Sequence, residues 1–252
     1  MPLRGGRCGN QRCSWTDGQR RPVRRYGVAV GADDVPAPHS EPVQRPAAVL
    51  LAGPNGAGKT TASSLLLGSS VPFLNADLIA ADLRRAGHSG TAVDVAAGRK
   101  LLAELAARVS LRQSFCVETN LAGRGWVHHI EEWRDLGYHV TLQFLSLVDA
   151  DTAVARVAQR VAHGGHGVPE EVIRRRYHAG LRQLFSTYMA LVDSWTLYDN
   201  STARPPTILA RGPNPLVIHE AEAWRHLTRT AGLSRSVEPP KSRRSNGLDS
   251  GL

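Results

Sequence analysis

A three-layer α/β sandwich, with a mainly parallel sheet and helices on both faces, is the fold predicted for this 252-residue sequence. Two patterns predict it. Short apolar runs alternate with longer stretches of helical period, as a parallel sheet joined by crossover helices requires. A glycine-rich turn, Gly53 to Thr60, also stands between the first apolar run and the first helical stretch. With 42% apolar and 21% charged residues, the chain can bury a core, which excludes the wholly disordered and fibrous classes.

Ala47–Ala52 (AAVLLA) reads as the first strand and Thr60–Leu67 as the first helix. Val71–Leu74 is a short second strand that ends at Asn75, Ala76 and Asp77. Residues 91–112 form a helix with Val95, Leu102, Leu105, Ala106 and Val109 as its apolar positions, and Phe115–Val117 returns to a strand with Cys116 in its core. Trp126–Leu136 is helical until Gly137 stops it. Val140–Leu147 is the clearest strand, followed by helices over 150–162 and 169–192 and by the last strands at Leu197-Tyr198 and Ile208-Leu209. Residues 1–44, rich in Arg, Gly and Pro, and residues 232–252 lack any sustained period and are expected to be disordered, leaving one folded domain over 45–231.

The formal charge of +9 would suggest an anionic partner if it lay on one surface. It does not, because residues 1–44 carry seven Arg against four acids and residues 234–252 carry four bases against two. The tails also lack the interleaved aromatics of a nucleic-acid binder, so electrostatic binding of nucleic acid by the tails is the minor alternative. Three cysteines without framework spacing point to a reducing compartment, and Cys8 and Cys13 lack the second ligand pair of a zinc site. No apolar run approaches the ~20 residues of a membrane span. The Arg-rich start is followed by Asp33 and Asp34 where an export signal would be apolar. The expected location is the cytoplasm.

Gly53-Pro54-Asn55-Gly56-Ala57-Gly58-Lys59-Thr60 fits G-x-x-x-x-G-K-[ST], the phosphate-binding loop (P-loop), in the strand-then-helix setting that the motif needs. Glycines let successive N–H groups turn inward around phosphate oxygens, and the following helix adds its positive dipole end. ATP is the expected nucleotide, bound by Gly53 through Thr61, with Lys59 on the β and γ oxygens and Thr60 offering a hydroxyl to Mg²⁺. There is no N-K-x-D guanine motif, and the unit is short for a motor, which favours a small kinase.

Strand ends surround the crevice of such a fold, which makes Asp77 the candidate base that orients and deprotonates an acceptor hydroxyl. The alternative is that Asp77 caps a helix starting at Leu78. Glu118 lies on the same rim, either holding a water of the Mg²⁺ shell, bonding a substrate hydroxyl or serving as a buried structural acid. Thr119 and Asn120 are expected to line the acceptor pocket. The Gly-rich linker in residues 156–169 suits a lid, with Arg160 and one of Arg174, Arg175 and Arg176 as its cations. The adjacent His128 and His129 are expected to cover a helix surface rather than bind metal.

The segments GPNGAGKTT, FLNADLIA, FCVETNLAG, GYHVTLQFLSL, RVAQRVAHGGHGVPEEVIRRRYHAGL and LVDSWTLYDNS, in order from about residue 47 to 201, resemble the zeta-toxin family of P-loop kinases. They are most similar to its chromosomal, UDP-N-acetylglucosamine kinase-like branch. The resemblance implies transfer of the ATP γ-phosphate to a sugar hydroxyl of UDP-N-acetylglucosamine. Asp77 would be the proton acceptor, Lys59 and Thr60 the loop's lysine and hydroxyl, Glu118 the substrate-contacting acid and Arg160 the first lid arginine. Asn120 and Ala122 stand where the family pattern has Thr and Ser, which leaves the acceptor open. His166 stands near the family's second lid arginine, a role that Arg175 is the candidate to fill. An antitoxin protein is the partner such a family brings with it, although a growth-inhibiting role does not follow from a kinase site.

Overall fold

The computed structural model describes residues 45–67, 71–165, 167–202 and 205–233, so the expectations for residues 1–44, residues 234–252 and His166 lie outside the described residues. The sheet runs in the order β2 (Phe73–Leu74), β3 (Phe115–Thr119), β1 (Ala47–Ala52), β4 (His139–Ser146), β5 (Ser194–Asp199), β6 (Thr207–Gly212) and β7 (Val217–Ile218). The first five strands are mutually parallel, while β6 and β7 add an antiparallel edge. This is the predicted α/β fold with a mainly parallel sheet. Consecutive residues Ala48 to Ala52 of β1 are all buried, and since successive side chains point to opposite faces, both faces of the sheet are covered.

Helix α1 (Lys59–Leu67) follows β1 through the glycine-rich turn. Helices α2 (Ala76–Arg85) and α3 (Ala92–Ser110) form a hairpin with a small core of its own, Ala80, Val93 and Ala97, and an Arg84–Asp94 ion pair at 2.6 Å. The buried face of α3 is Val93, Ala97, Leu101 and Leu105; of the apolar positions expected there, Val95, Leu102 and Ala106 point to solvent. Packing against the small α2 face turned the helix onto Ala97 and Val93, a choice that hydrophobicity alone does not make. Helices α4 (Val127–Asp135), α5 (Ala150–Ala162) and α6 (Glu170–Gln183) follow, α6 running through a π-helical turn, Leu184–Tyr188, into α7 (Met189–Leu191). The last helix, α8 (Ala221–Thr230), ends in the left-handed Gly232 (φ 80), after which Leu233 donates to the Thr228 carbonyl at 3.0 Å and packs on the core. Trp224 of α8 stacks on Trp195 of β5 with centroids 6.1 Å apart, fixing the helix over that strand.

β1 lies between β3 and β4, so the chain winds away from it in both directions. The carboxyl end of β1 is therefore the switch point where a ligand crevice opens, and Gly53 begins there.

Candidate active site

Three glycines shape the loop after β1. Gly53 (φ 144), Gly56 (φ 79) and Gly58 (φ 77) all hold backbone conformations that side chains resist. A Cβ on Gly53 would overlap the Leu145 carbonyl oxygen, one on Gly56 would lie 2.8 Å from the Ala153 carbonyl, and one on Gly58 would lie 2.9 Å from Asn200 Nδ2. The loop is thus pressed between β4, α5 and the chain that leaves β5. Ala57 N–H closes the turn onto the Pro54 carbonyl at 3.2 Å.

Strand register brings the rim together. Leu51 pairs with Glu118 and Ala52 with Thr119, so Glu118 stands beside the strand end from which the loop springs. Leu74 pairs with Val117, which sets Asn75 level with Glu118 on the other side. Glu118 Oε2 accepts from Thr60 Oγ1 at 2.9 Å and from Asn75 Nδ2 at 2.7 Å, and Oε1 lies 3.6 Å from Lys59 Nζ. Lys59 is buried, donating to the carbonyls of Gly53 (2.9 Å) and Pro54 (3.0 Å) and, at 3.4 Å, to Asn120 Oδ1. Burial pushes its ammonium below the usual lysine range, an effect opposed by the charges of Glu118 and Asp77 and reinforced by that of Arg160. Three distant segments therefore act electrostatically on one lysine.

Asp77 is exposed at the second position of α2. It does not cap that helix: Asn75 does, its Oδ1 accepting from Asp77 N at 2.7 Å and Leu78 N at 3.3 Å. The helix starts two residues earlier than the Leu78 expectation because an amide one strand-end away takes the cap, leaving the Asp77 carboxylate uncommitted to backbone N–H groups. Thr119 Oγ1 accepts from Trp126 Nε1 at 2.9 Å and Leu121 N at 3.1 Å, and so braces its own loop. Thr61 is exposed behind Thr60. Arg160 lies in the last turn of α5, with Gly165 folded on its stem. Arg175 is exposed, while Arg174 is engaged by Asp151 at 2.6 Å and Glu170 at 2.8 Å. His129 stacks on Trp133, its centroid 6.0 Å away. Among the described residues no group of three or more His, Cys, Asp or Glu could hold a metal.

The residues fit a nucleotide triphosphate. Asn55 is buried within the turn with its Oδ1 lacking a protein partner, and the glycine cradle admits no Cβ. Thr60 and Glu118 supply the hard oxygen donors that suit Mg²⁺. A cleft of about 980 Å³ lies under α8, lined by Leu147, Asp199 and His226 among others, but none of residues 53–60 lines it. Phosphates are held by loop amides at the surface rather than by a deep cavity, so the cleft's size does not make it the reaction centre.

Two contributors escape local sequence reasoning. Asn75 carried a legible signal, a cap-type residue just before a helix, but its tie to Glu118 depends on strand register. Asn200 carried none: its Nδ2 donates to the Ala57 carbonyl at 2.7 Å, and Arg156 holds the Asn200 carbonyl at 2.6 Å.

The Zeta toxin family model matches residues 33–202. A relative from Haemophilus influenzae, described as an uncharacterized protein, is 25% identical over 130 residues, covering 52% of this chain and 91% of the relative. Among solved structures, AvrRxo1-ORF1:-ORF2 with ATP superposes with a TM-score of 0.60 at 14% identity, covering 78% of this chain and 66% of that one, just under two thirds of its length. The PezAT chromosomal toxin-antitoxin system of Streptococcus pneumoniae superposes with a TM-score of 0.52 at 15% identity, over 75% of this chain and 87% of that one.

Proposed function

The chain belongs to the zeta toxin family, and from that premise we propose that it is an ATP- and Mg²⁺-dependent kinase whose acceptor is a hydroxyl of UDP-N-acetylglucosamine. One observation carries the reading: the phosphate-loop residues Lys59 and Thr60 share a single carboxylate, Glu118, at 3.6 and 2.9 Å, while the charge of Asp77 reaches the same lysine. Loop and rim form one unit.

The amides of Gly53–Thr61 and the Lys59 ammonium hold the triphosphate and oppose its charge. Bound Mg²⁺ would neutralise the β and γ oxygens, with Thr60 and Glu118 as the residues to hold it or its waters. Asp77 orients the acceptor hydroxyl and takes its proton as the new O–P bond forms and the bond from the γ-phosphorus to the β–γ bridging oxygen breaks, releasing ADP. Arg160 meets the charge on the transferring group. Asn120, whose Oδ1 accepts from Lys59 at 3.4 Å, is the residue assigned to the acceptor beside the loop. Among the described residues neither Arg175 nor Arg176 on α6 makes an ion pair of the Arg174 kind, and Arg175 is the more exposed of the two, which supports it as the second lid cation. The likeness to the PezAT system supports an antitoxin as protein partner, and the kinase reading stands without it.

The test is incubation with γ-labelled ATP, Mg²⁺ and UDP-N-acetylglucosamine. Label should enter the sugar nucleotide, and Asp77→Asn should lower turnover by about 10²–10⁴-fold with ATP affinity intact. Label entering a different acceptor from a panel of nucleosides, antibiotics and polynucleotide ends would overturn the substrate; no transfer to any acceptor would overturn the kinase.

A further inference from the structure

We propose that Asn75 is a positioning residue that locks the Glu118 carboxylate and the Asp77 helix into one rigid piece, a role that rests on the kinase reading for its effect on turnover. Asn75 is 6% exposed and uses both ends of its amide. Its Oδ1 accepts from the N–H groups of Asp77 (2.7 Å) and Leu78 (3.3 Å), while its Nδ2 donates to Glu118 Oε2 at 2.7 Å. The orientation is decided by the partners, because a flipped amide would set its oxygen against a carboxylate and its NH₂ against two backbone donors. Glu118 Oε2 is then held from two sides, by Asn75 and by Thr60 Oγ1, which leaves Oε1 directed at Lys59.

The geometry selects asparagine among cap residues. Serine and threonine can cap α2, but they are too short to reach a carboxylate on the neighbouring strand as well. Aspartate can cap but would confront Glu118 with a second carboxylate. Asparagine alone of the favoured caps offers an acceptor to the helix and a donor to the acid. Without the donor, Glu118 keeps the Thr60 hydrogen bond and the Lys59 ion pair but loses its tie to the Asp77 helix and gains rotamer freedom; misplacement of a positioning group by about 1 Å is worth about 10²-fold in rate.

Asn75→Ser separates the two jobs, since it keeps the cap and removes the Glu118 bond; Asn75→Ala removes both. Asn75→Ser should melt a few degrees below the wild type for the lost Glu118 bond, and Asn75→Ala roughly 2–4 °C lower again for the lost cap. ATP affinity measured calorimetrically in EDTA should be unchanged in Asn75→Ser, because the cradle is untouched. The gain in ATP affinity on adding Mg²⁺ should shrink, and kcat should fall about 10–100-fold with little change in the KM for ATP. Wild-type kcat together with a wild-type Mg²⁺ gain in Asn75→Ser would overturn the proposal, whatever its melting temperature. The Mg²⁺ gain is read without any acceptor, so the outcome remains distinct from a failure of the kinase reading, which would show as a wild-type protein that transfers no phosphate.

Discussion

Asn200 donates its side-chain amide to the Ala57 carbonyl at 2.7 Å, tying the chain that leaves β5 to the crown of the phosphate loop across 143 residues of sequence. Arg156 of α5 holds the Asn200 backbone in turn, at 2.6 Å. The loop's shape is therefore maintained from outside itself, by an amide and a guanidinium on separate elements. Asn200→Ala strands a part-buried carbonyl and frees the crown, which costs about 1–3 kcal/mol. ATP affinity should drop by roughly 5–150-fold in calorimetric titration. Affinity within twofold of wild type would show that the tether does not shape the nucleotide site.

The three loop glycines should not be equally sensitive. Alanine at Gly53 meets a backbone carbonyl of β4, which cannot move without disturbing the sheet, whereas alanine at Gly58 meets the far end of the Asn200 side chain. Both also suffer from positive φ, worth about 1–2 kcal/mol for an alanine forced into the left-handed region. Denaturant unfolding should thus rank Gly53→Ala as the more destabilised protein. Gly58→Ala should lose ATP affinity more than stability, because it displaces the Asn200 tether.

Gly165 packs against the stem of Arg160, the lid arginine of the proposed kinase. An added Cβ would lie 2.6 Å from Arg160 Cγ and 3.0 Å from its carbonyl oxygen. Gly165→Ala should therefore swing the guanidinium away and lower kcat by about tenfold or more, approaching Arg160→Ala, since a cis arginine in phosphoryl transfer is worth up to several orders of magnitude. The segment is exposed, so the melting temperature should stay put. A kcat equal to wild type would remove Arg160 from the transfer step.

Cys116 sits in β3 with no exposed surface, and burial pushes its thiol up to about 12. Because the thiolate is the nucleophile, Cys116 should resist maleimide at pH 8 in the native protein and react once guanidinium unfolds it, as followed by peptide mass spectrometry. Its linkage to stability has a definite sign. The folded state holds the proton more tightly than the unfolded one, whose thiol titrates near 9.0, so stability is full below pH 9 and declines as pH rises toward about 12. The buried hydroxyls of Tyr177 and Tyr188, also shifted upward by burial, act in the same direction. Rapid equilibrium unfolding series at pH 8 and 10.5 should show the loss.

Much of this architecture is written locally. The loop between Gly53 and Thr60 announces itself because phosphate cradling needs glycines, a lysine and a hydroxyl at contiguous positions, and β1, β3 and β4 stand out because central parallel strands are apolar on both faces. The antiparallel β6–β7 edge is not written this way, since strand direction depends on which neighbour the chain finds rather than on composition.

Sequence by itself determined the α/β class and the phosphate loop. Only the tertiary structure decided that Val93 and Ala97 rather than Val95 face the core, that Asn75 rather than Asp77 caps α2, that Thr119 braces its loop, and that Asn200 holds Ala57. The division has a physical cause. Local motifs are set by backbone conformations within a few residues, whereas these contacts form between strand ends whose proximity exists only after the sheet has paired in register.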